Sequence, residues 1–375
     1  MNAILTVENN DVLAALRGFL RRLMESGIVE ALLVPLETGD GTALPALVTD
    51  PARLETSNPL MPVMPINSAR AVSAITGKHT PAKIGVVLRP CEIRALIELV
   101  KLQQASLENV TIIGMDCPGT CEVAESVAKG IWKRAASLSA YLVAARDGRE
   151  PDIDGLSLRQ ACQMCIHPVP ENMDIHIHLF GVDVTHALPI TMQDEIAAAL
   201  NITESGVGGG ESIDEAVSRL TAGRQKVRDG TLGDIRQQMG SNGGFASLFT
   251  SCIRCHNCMT ACPICYCKTC LFKTAAFDHE PAFYLNTARR KGATRMLGDT
   301  LLFHMTRLNH MSTSCISCGM CTSACPSDIP VGTIFSAIGE QVQAEFEYVP
   351  GRDVAESLPL ITFQPDEWTE IGEEK

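Results

Sequence analysis

Two copies of one cysteine pattern, C-x2-C-x2-C-x3-C-P, dominate the C-terminal part of the sequence. The first copy is Cys252, Cys255, Cys258 and Cys262-Pro263, and the second is Cys315, Cys318, Cys321 and Cys325-Pro326. Three cysteines at this spacing wrap around three corners of one cubane, whereas the fourth points away and reaches the other cluster. The pattern therefore predicts two 4Fe–4S clusters. The first is held by Cys252, Cys255, Cys258 and Cys325, and the second by Cys315, Cys318, Cys321 and Cys262.

Two other metal groups use parts of the same pattern. His256 follows Cys255, so the first copy also contains C-x2-C-H, which is typical of covalent haem attachment. Haem would use two cysteines and leave the other six unexplained. Zinc ribbons use C-x2-C pairs, not two complete copies of the longer pattern. We therefore expect iron–sulfur clusters, with His256 beside a cluster and not ligating it.

The composition limits the class of protein. The chain has 375 residues and 16 cysteines, eleven of them from residue 252 onward, which is typical of metal sites and not of a small disulfide scaffold. The net charge of −12 argues against a nucleic-acid partner. The N-terminus lacks the pattern of an export signal, and no run of twenty apolar residues predicts a membrane span. These features predict a cytoplasmic protein.

Eight cysteines remain outside the two copies, and five of them lie in the N-terminal half. Cys91 follows one predicted strand, Cys117 and Cys121 follow another, and Cys162 and Cys165 form a C-x2-C pair. Loops that leave the ends of neighbouring strands meet at one edge of an α/β sheet. We therefore predict a third 4Fe–4S cluster that uses Cys91, Cys162, Cys165 and one of Cys117 or Cys121. A zinc site and a thiol–disulfide pair are the alternatives.

The last three cysteines are in the segment PICYCKTC, at Cys265, Cys267 and Cys270. Together with a spare cysteine from the 117/121 pair they would complete a fourth cluster. They are equally compatible with an alternative ligand set for the third cluster.

The fold class follows from the order of periodic segments. Helices are predicted in VLAALRGFLRRLMES, with Asp11 as N-cap and Gly27 as stop signal, and in SARAVSAI and EIRALIELVKLQQ. Strands are predicted at IVEALLVPL, KIGVVL, NVTIIGM and DIHIHLF. This alternation predicts an α/β domain with a largely parallel sheet, followed by an α+β dicluster ferredoxin-like domain. The predicted domains are 1–200 for the α/β part, 201–244 for a glycine-rich connector containing a helix, 245–335 for the cluster part with an insert at 271–311, and 336–375 for an acidic tail.

Several segments resemble one family. VVLRPCEIRALIEL, IIGMDCPGTC and CQMCIHPVPENMDIHI are similar to segments of the beta subunits of coenzyme F420 (deazaflavin) reducing hydrogenases and formate dehydrogenases. CPICYCKTCLF resembles bacterial formate dehydrogenase beta-subunit relatives. The resemblance implies iron–sulfur clusters and, as in several members, an FAD. Here VENND replaces the glycine-rich turn expected before the first helix, and GVGGGES lies in the connector, so we expect flavin to be absent or bound differently.

The sequence therefore predicts an iron–sulfur electron-transfer subunit of a larger oxidoreductase. Its partners would be a catalytic formate dehydrogenase or hydrogenase subunit and a heterodisulfide-reductase-like subunit. The alternatives are a flavin-dependent subunit that reduces deazaflavin or NAD(P), and a zinc-stabilised scaffold. We expect His176 and His178 to be structural and the basic TARRKGATR (287–295) to be a solvated helix face; no Ser/His/Asp set or phosphate loop is visible.

Overall fold

A seven-stranded sheet forms the centre of the N-terminal part. The computed structural model describes residues 1–78, 80–130, 135–153, 155–205, 210–241, 243–294 and 298–360. The strands are β1 (Asn2–Thr6), β2 (Ala31–Glu37), β3 (Ala43–Val48), β4 (Ile84–Leu88), β5 (Val110–Met115), β6 (Ile175–Ile177) and β7 (Ala187–Met192). They lie in the order β1-β7-β6-β5-β4-β2-β3.

The four inner strands are parallel and the edges are not. β2, β4, β5 and β6 pair in parallel, whereas β3 joins β2 and the β7–β1 pair joins β6 in antiparallel register. The α/β architecture predicted from the sequence is confirmed, but the sheet is mixed. The sequence analysis identified the four inner strands and missed β1, β3 and β7. β3 follows β2 through a tight turn at 38–42, so the pair forms an antiparallel hairpin at the edge.

Seven α-helices of the described residues accompany the sheet, and the first three of them lie where the apolar periodicity predicts helices. They are α1 (Val12–Glu25), α2 (Ala69–Thr76), α3 (Pro90–Lys101), α4 (Val123–Lys129), α5 (Ala135–Asp147), α6 (Gln160–Gln163) and α7 (Asp194–Ala199). Asp11 caps α1 by accepting a hydrogen bond from the Ala14 amide over 2.8 Å, and Gly27 follows the helix with φ of 72°. α3 begins directly after β4, which places Cys91 in its first turn.

The predicted connector contains one long helix, α8 (Gly210–Gly240), of 31 residues. Its inner face contributes Leu232 and Ile235 to the core beneath the cysteine loops, and Ala216 and Leu220 to the core of the sheet. The helix therefore spans both parts of the molecule. The glycines at 206–209, which belong to the GVGGGES segment, lie outside the described residues.

The cysteine-rich part is helical. Its helices are α9 (Gly244–Ser247), α10 (Asn257–Ala261), α11 (Pro281–Lys291), α12 (Thr300–Met311), α13 (Met320–Ser323) and α14 (Val331–Glu345). In the part of the chain that the structure describes, no strand follows β7, so the α+β expectation for this domain is wrong in its strand content. The reason is that α8, α12 and α14 supply the apolar core against which the cysteine loops pack.

The C-terminal segment returns to the sheet domain after α14. The Tyr348 hydroxyl and the Gly351 amide both donate to the carboxylate of Glu98 on α3, and Arg94 donates to the Pro350 carbonyl. Gly351 has φ of 75°, and a Cβ there would stand 2.5 Å from Arg94 Cα, so no side chain fits. The segment therefore fastens the cluster part to α3. Residues 361–375 of the predicted acidic tail lie outside the described range, and no helix within that range is long and apolar enough to cross a membrane.

Candidate metal centres

The first predicted ligand set surrounds one small cavity. Cys252, Cys255, Cys258 and Cys325 all line it, together with Phe303 and His304. Cys252 and Cys255 come from the loop before α10, Cys258 lies in the first turn of that helix, and Cys325 follows α13. The fourth cysteine of the second copy, Cys325, therefore lines the cavity formed by the first copy.

The second set has the same arrangement. Cys315, Cys318 and Cys321 line a second cavity, and Cys262 reaches it from the first loop. Gly332 at the start of α14 approaches this cavity closely, since a Cβ there would meet Cys321 Sγ at 3.4 Å and Thr322 Oγ1 at 2.8 Å. The loop thus wraps tightly around a space bounded by four thiols.

The two loops repeat one backbone conformation. The second and fourth residues after the first cysteine have positive φ in both, at Arg254 (57°) and His256 (61°) and at Ser317 (58°) and Gly319 (71°). This turns backbone amides toward the sulfurs; the Arg254 amide, for example, donates to Cys252 Sγ over 3.4 Å. Amide donors of this kind stabilise thiolates that hold an iron–sulfur cluster.

No three cysteines among the described residues lie as close together as the ligands of tetrahedral zinc. Tetrahedral zinc with Zn–S bonds of about 2.3 Å needs sulfurs roughly 3.8 Å apart. Among the described residues, the three-ligand group whose atoms lie within 4.8 Å of one another contains Asp116, His176 and His178 and no cysteine. All sixteen cysteines are free thiols. The all-sulfur donor sets suit the four corners of a cubane.

The third predicted set meets at the carboxyl edge of the sheet. Cys91 on α3, Cys117 after β5, and Cys162 and Cys165 around α6 line one cavity of about 280 Å³. Loops from β4 and β5 bring the first two together, as expected for neighbouring parallel strands. The sequence analysis predicted this convergence, and the fold brings these four sulfurs to one cavity.

The choice between Cys117 and Cys121 follows from their surroundings. Cys117 lines the cavity, whereas Cys121 is fully buried among Tyr141, Ile153, Leu156 and Leu158. Burial raises the pKa of both thiols to about 12. Cys121 therefore packs as a small apolar side chain.

Cys162 has a different electrostatic environment from the other cysteines of its set. Burial would raise its pKa, but Arg159 and hydrogen bonds from Thr120 lower it below the ordinary value. The Thr120 amide and hydroxyl lie 3.4 and 3.3 Å from Cys162 Sγ. Burial raises the pKa of Cys91 and of Cys165 instead. Cys162 is therefore the member of this set that most readily becomes a thiolate, the form that binds metal.

Cys265, Cys267 and Cys270 follow the first loop without forming a helix. Cys267 is exposed, and burial raises the pKa of Cys265 to about 11. Cys270 Sγ lies 3.6 Å from Met259 Sδ. The spare cysteine, Cys121, is buried beside Tyr141 and Leu156, whereas Cys265 and Cys270 pack against the core beneath the cysteine loops. The two groups thus face different parts of the molecule.

The three sets lie in a row. Cys315 and Cys318 of the second set also line the cavity of the third. Gly319 of the second loop packs closely against the third set, since a Cβ there would stand 2.3 Å from the Cβ of Ala161, the residue before Cys162. Cys262 joins the first loop to the second set. The order is therefore first, second, third, from the cysteine-rich part into the sheet domain.

The insert at 271–311 supplies contacts that the sequence analysis missed. His304 and Arg307 on α12 are both buried. His304 Nε2 lies 3.4 Å from Cys252 Sγ, and its ring stacks on Phe249 at 3.8 Å. Arg307 donates from Nη1 to Cys258 Sγ over 3.2 Å. Neither residue stands in a ligand pattern, and the sequence analysis predicted no helix at the position of α12.

His176 on β6 and His178 just after it are both hydrogen-bonded to neighbouring side chains. His176 Nε2 pairs with Asp116 at 2.8 Å, and His178 Nε2 pairs with Thr191 Oγ1 at 2.9 Å. The other oxygen of Asp116 accepts the amides of Leu179 and Phe180. These contacts hold the end of β6. Part of the basic segment 287–295 lies in the last turn of α11. The positive charges of Arg289, Arg290 and Lys291 are favourable there because the helix C-terminus carries partial negative charge.

Residues 248–329 match the family model of a 4Fe-4S dicluster domain. The F420-dependent formate dehydrogenase subunit beta of Methanocaldococcus jannaschii is 23% identical over 378 residues, covering 92% of this chain and 93% of the relative. The F420-dependent formate dehydrogenase 1 subunit beta of Methanococcus maripaludis is 25% identical over 377 residues, covering 92% of each.

A chain from the F420-reducing NiFe hydrogenase complex of Methanosarcina barkeri, solved as a xenon derivative, has a TM-score of 0.43 and 12% identity, covering 65% of this chain and 94% of its own. The resemblance predicted from the sequence is confirmed by the two curated relatives. The chain contains a 4Fe-4S dicluster domain and is similar, over 92% of its length, to the beta subunits of F420-dependent formate dehydrogenases.

Proposed function

We propose that this chain is the iron–sulfur electron-transfer subunit of a multi-subunit oxidoreductase of the formate dehydrogenase or hydrogenase type. The observation that carries the proposal is the row of three adjoining cysteine sets, in which two cysteines of the second set also line the cavity of the third. Clusters bound at adjoining sites supply one-electron transfer without substrate chemistry.

The residues of the chain have three tasks in this function. The twelve sulfurs of the sets bind metal: Cys252, Cys255, Cys258, Cys325, Cys315, Cys318, Cys321, Cys262, Cys91, Cys117, Cys162 and Cys165. Apolar side chains such as Phe303, Phe335 and Ile334 exclude water from the first two sets. Backbone amides and buried arginines stabilise negative charge on the sulfurs.

A partner surface near the first set supports the role of a subunit. Among the described residues between 253 and 305, seven large apolar side chains are exposed: Ile253, Tyr266, Leu271, Phe283, Leu285, Leu302 and Met305. Ile253 stands inside the first cysteine loop and is 61% exposed, next to the exposed Cys255. Exposed apolar side chains in one region are typical of protein interfaces. Electrons would enter or leave at this end of the row.

The relatives suggest the partners. Both are named as beta subunits of formate dehydrogenases that use coenzyme F420. We propose that a catalytic formate dehydrogenase or hydrogenase subunit exchanges electrons with this chain, and that a heterodisulfide-reductase-like subunit is a second partner. Sixteen free thiols suit a reducing compartment, so we assign the chain to the cytoplasm.

The proposal is tested by purifying the native complex without oxygen. We expect a brown protein with broad absorption near 400 nm, about twelve iron and twelve sulfide atoms per chain for three cubanes, and bleaching when formate or hydrogen is added with the co-purified catalytic subunit. A colourless chain containing zinc would overturn the proposal. Iron without bleaching by either donor would reject the assigned partner.

A fourth cluster at Cys265, Cys267 and Cys270 would raise the count to about sixteen iron atoms. That cluster would need a fourth ligand in addition to these three cysteines, of which Cys267 is exposed. Replacing Cys267 with serine separates the alternatives, because loss of about four iron atoms supports a fourth cluster and an unchanged count excludes Cys267 as a ligand.

A flavin-dependent role is the second candidate. Arg89, Arg94, Arg159, Arg224 and Arg228 line the cavity at the third set, and cations of this kind also suit an anionic cofactor. FAD released by acid from the iron-loaded complex would support this role. Its absence from a fully loaded preparation would exclude FAD from the chain.

A further inference from the structure

Arg307 is a buried cation without a carboxylate partner. It is 4% exposed, and no acidic side chain within the described residues lies in ion-pair range of it. Its Nη1 donates to Cys258 Sγ over 3.2 Å, and its Nη2 donates to the Cys258 carbonyl over 3.1 Å. The rings of Phe335 and Phe303 flank the guanidinium at 4.9 and 5.6 Å. An uncompensated buried charge costs several kcal/mol, so the sulfurs must supply the balancing negative charge.

The cysteines that balance Arg307 belong to two sets. Arg307 lines one cavity together with Cys262 and Cys321, and its Nη1 donates to Cys258 Sγ. Cys258 belongs to the first set, whereas Cys262 and Cys321 belong to the second. The guanidinium therefore stands at the junction between the first two sites.

Arg159 occupies the corresponding place at the next junction. It is 3% exposed and, like Arg307, has no ion-pair partner among the carboxylates that the structure describes. Its Nη2 lies 3.7 Å from Cys162 Sγ in the third set, and its Nη1 lies 3.3 Å from Sδ of Met320, between Cys318 and Cys321. Its Nε donates to Thr120 Oγ1 over 2.9 Å, which fixes the plane of the guanidinium.

The charges around Arg159 also come from two sets. Arg159 lines one cavity together with Cys91, Cys162 and Cys318. Glu122 lines an adjacent cavity with Arg159 but is not within ion-pair distance of it. Cys162 and Cys91 belong to the third set, and Cys318 belongs to the second. Other buried arginines nearby are compensated by carboxylates, as Arg224 is by Glu150 at 2.7 Å.

We propose that Arg307 and Arg159 are positioning residues of the electron path, each a fixed cation shared by two adjoining sites whose reduction potentials it raises together. The inference rests on the proposed electron-transfer function. The step is the passage of one electron: one site is oxidised, the next is reduced, and no bond forms or breaks. No proton accompanies it, because a guanidinium remains protonated throughout. The electron donor is the catalytic dehydrogenase subunit or, in a titration, dithionite.

The experiment is a dithionite titration of the anaerobically purified native complex, followed by electron paramagnetic resonance. Arg307→Gln should make the first and second sites at least tenfold harder to reduce, about 59 mV for a one-electron couple, and leave the third unchanged. Arg159→Gln should shift the second and third sites and leave the first. Lysine at either position should restore part of the shift, since it restores the charge.

Arg21→Gln is the matched control, because Arg21 on α1 pairs with Glu55 and neither residue lines any of the three cavities. It should leave all three potentials unchanged. Iron counts separate the possible failures. Full iron with unshifted potentials, or an equal shift of all three sites, would overturn the inference and leave the proposed function intact. A wild-type chain without iron would refute the proposed function itself.

Discussion

His304 Nε2 lies 3.4 Å from Cys252 Sγ, and the imidazole is held there by stacking on Phe249. Burial, together with the charge of Arg307, lowers the pKa of His304 to about 3, so the ring is neutral and one nitrogen can donate to the sulfur. The insert between the two cysteine loops therefore contributes a neutral donor to the first site.

His304→Phe should keep the stacking and the iron content but lower the reduction potential of the first site, because the sulfur loses a hydrogen-bond donor. The measurement is the same dithionite titration. His310→Gln, on the exposed face of α12, is the control. An unchanged potential in the His304 variant would show that the ring has only a packing role.

Cys117 and Cys121 form a matched pair for the third site. Cys117→Ala should remove about four iron atoms, because Cys117 lines the cavity. Cys121→Ala should keep the iron and lower the free energy of unfolding by about 1–2 kcal/mol through a small core cavity. Iron analysis and denaturant unfolding check both variants. Loss of iron in the Cys121 variant would reverse the assignment.

Cys255→Ser should damage the first site and destabilise the cysteine-rich part, since Cys255 is one of its four sulfurs. His256→Ala should leave the metal content unchanged, because the ring packs beside Phe303 at 4.7 Å and is not needed as a ligand. Iron and sulfide counts test both variants. Loss of iron in the His256 variant would count against the cubane assignment.

Because His178 is largely buried, we expect the folded chain to lose stability in mild acid. Burial, with a smaller effect of His176, lowers its pKa to about 4, so the folded chain keeps it neutral while the unfolded chain takes up a proton below about pH 6.5. Above pH 6.5 His178 is neutral in both states and the free energy of unfolding is not reduced by its protonation. As the pH falls toward 4, the unfolded chain takes up the proton and the free energy of unfolding decreases. The loss should be about 2 kcal/mol after allowance for partial exposure.

The test compares apparent melting temperatures at pH 7 and pH 5 for wild type and His178→Gln. The variant should lose less stability on acidification, whereas the exposed His310→Gln should behave as wild type does. Equal pH dependence in all three chains would show that His178 does not titrate in this range.

Because Tyr348 and Gly351 both donate to Glu98, we expect substitutions at these two residues to lower the free energy of unfolding by different amounts. Tyr348→Phe removes one donor from a buried carboxylate and should cost about 1–2 kcal/mol. Gly351→Ala should cost more, because its Cβ would overlap Arg94 and its φ is positive. Limited proteolysis after α14 and denaturant unfolding measure both effects. A Gly351 variant as stable as wild type would show that this segment does not fasten the two parts together.

The cysteine sets could be predicted from the sequence because ligand spacing is local, and the convergence of Cys91 and Cys117 follows from parallel strand order. The contacts of His304 and Arg307 could not, since they depend on how α12 packs against both loops. Cys117 and Cys121 could not be told apart, because burial at 121 comes from α5 and a distant loop. The edge strand β3 was missed because the hairpin depends on a turn between two short segments.

The exchange of Cys262 and Cys325 between the loops has a consequence for assembly. Neither loop can complete its site alone, so a metal centre formed at one loop fixes the direction of the chain entering the other. Binding at the first site brings the two ends of the segment from Cys262 to Cys325 together and carries the entropic cost of closing this long loop. The second site then forms without that cost. Loading should therefore be cooperative, and chains that hold one of these two clusters should be scarce beside empty and doubly loaded ones.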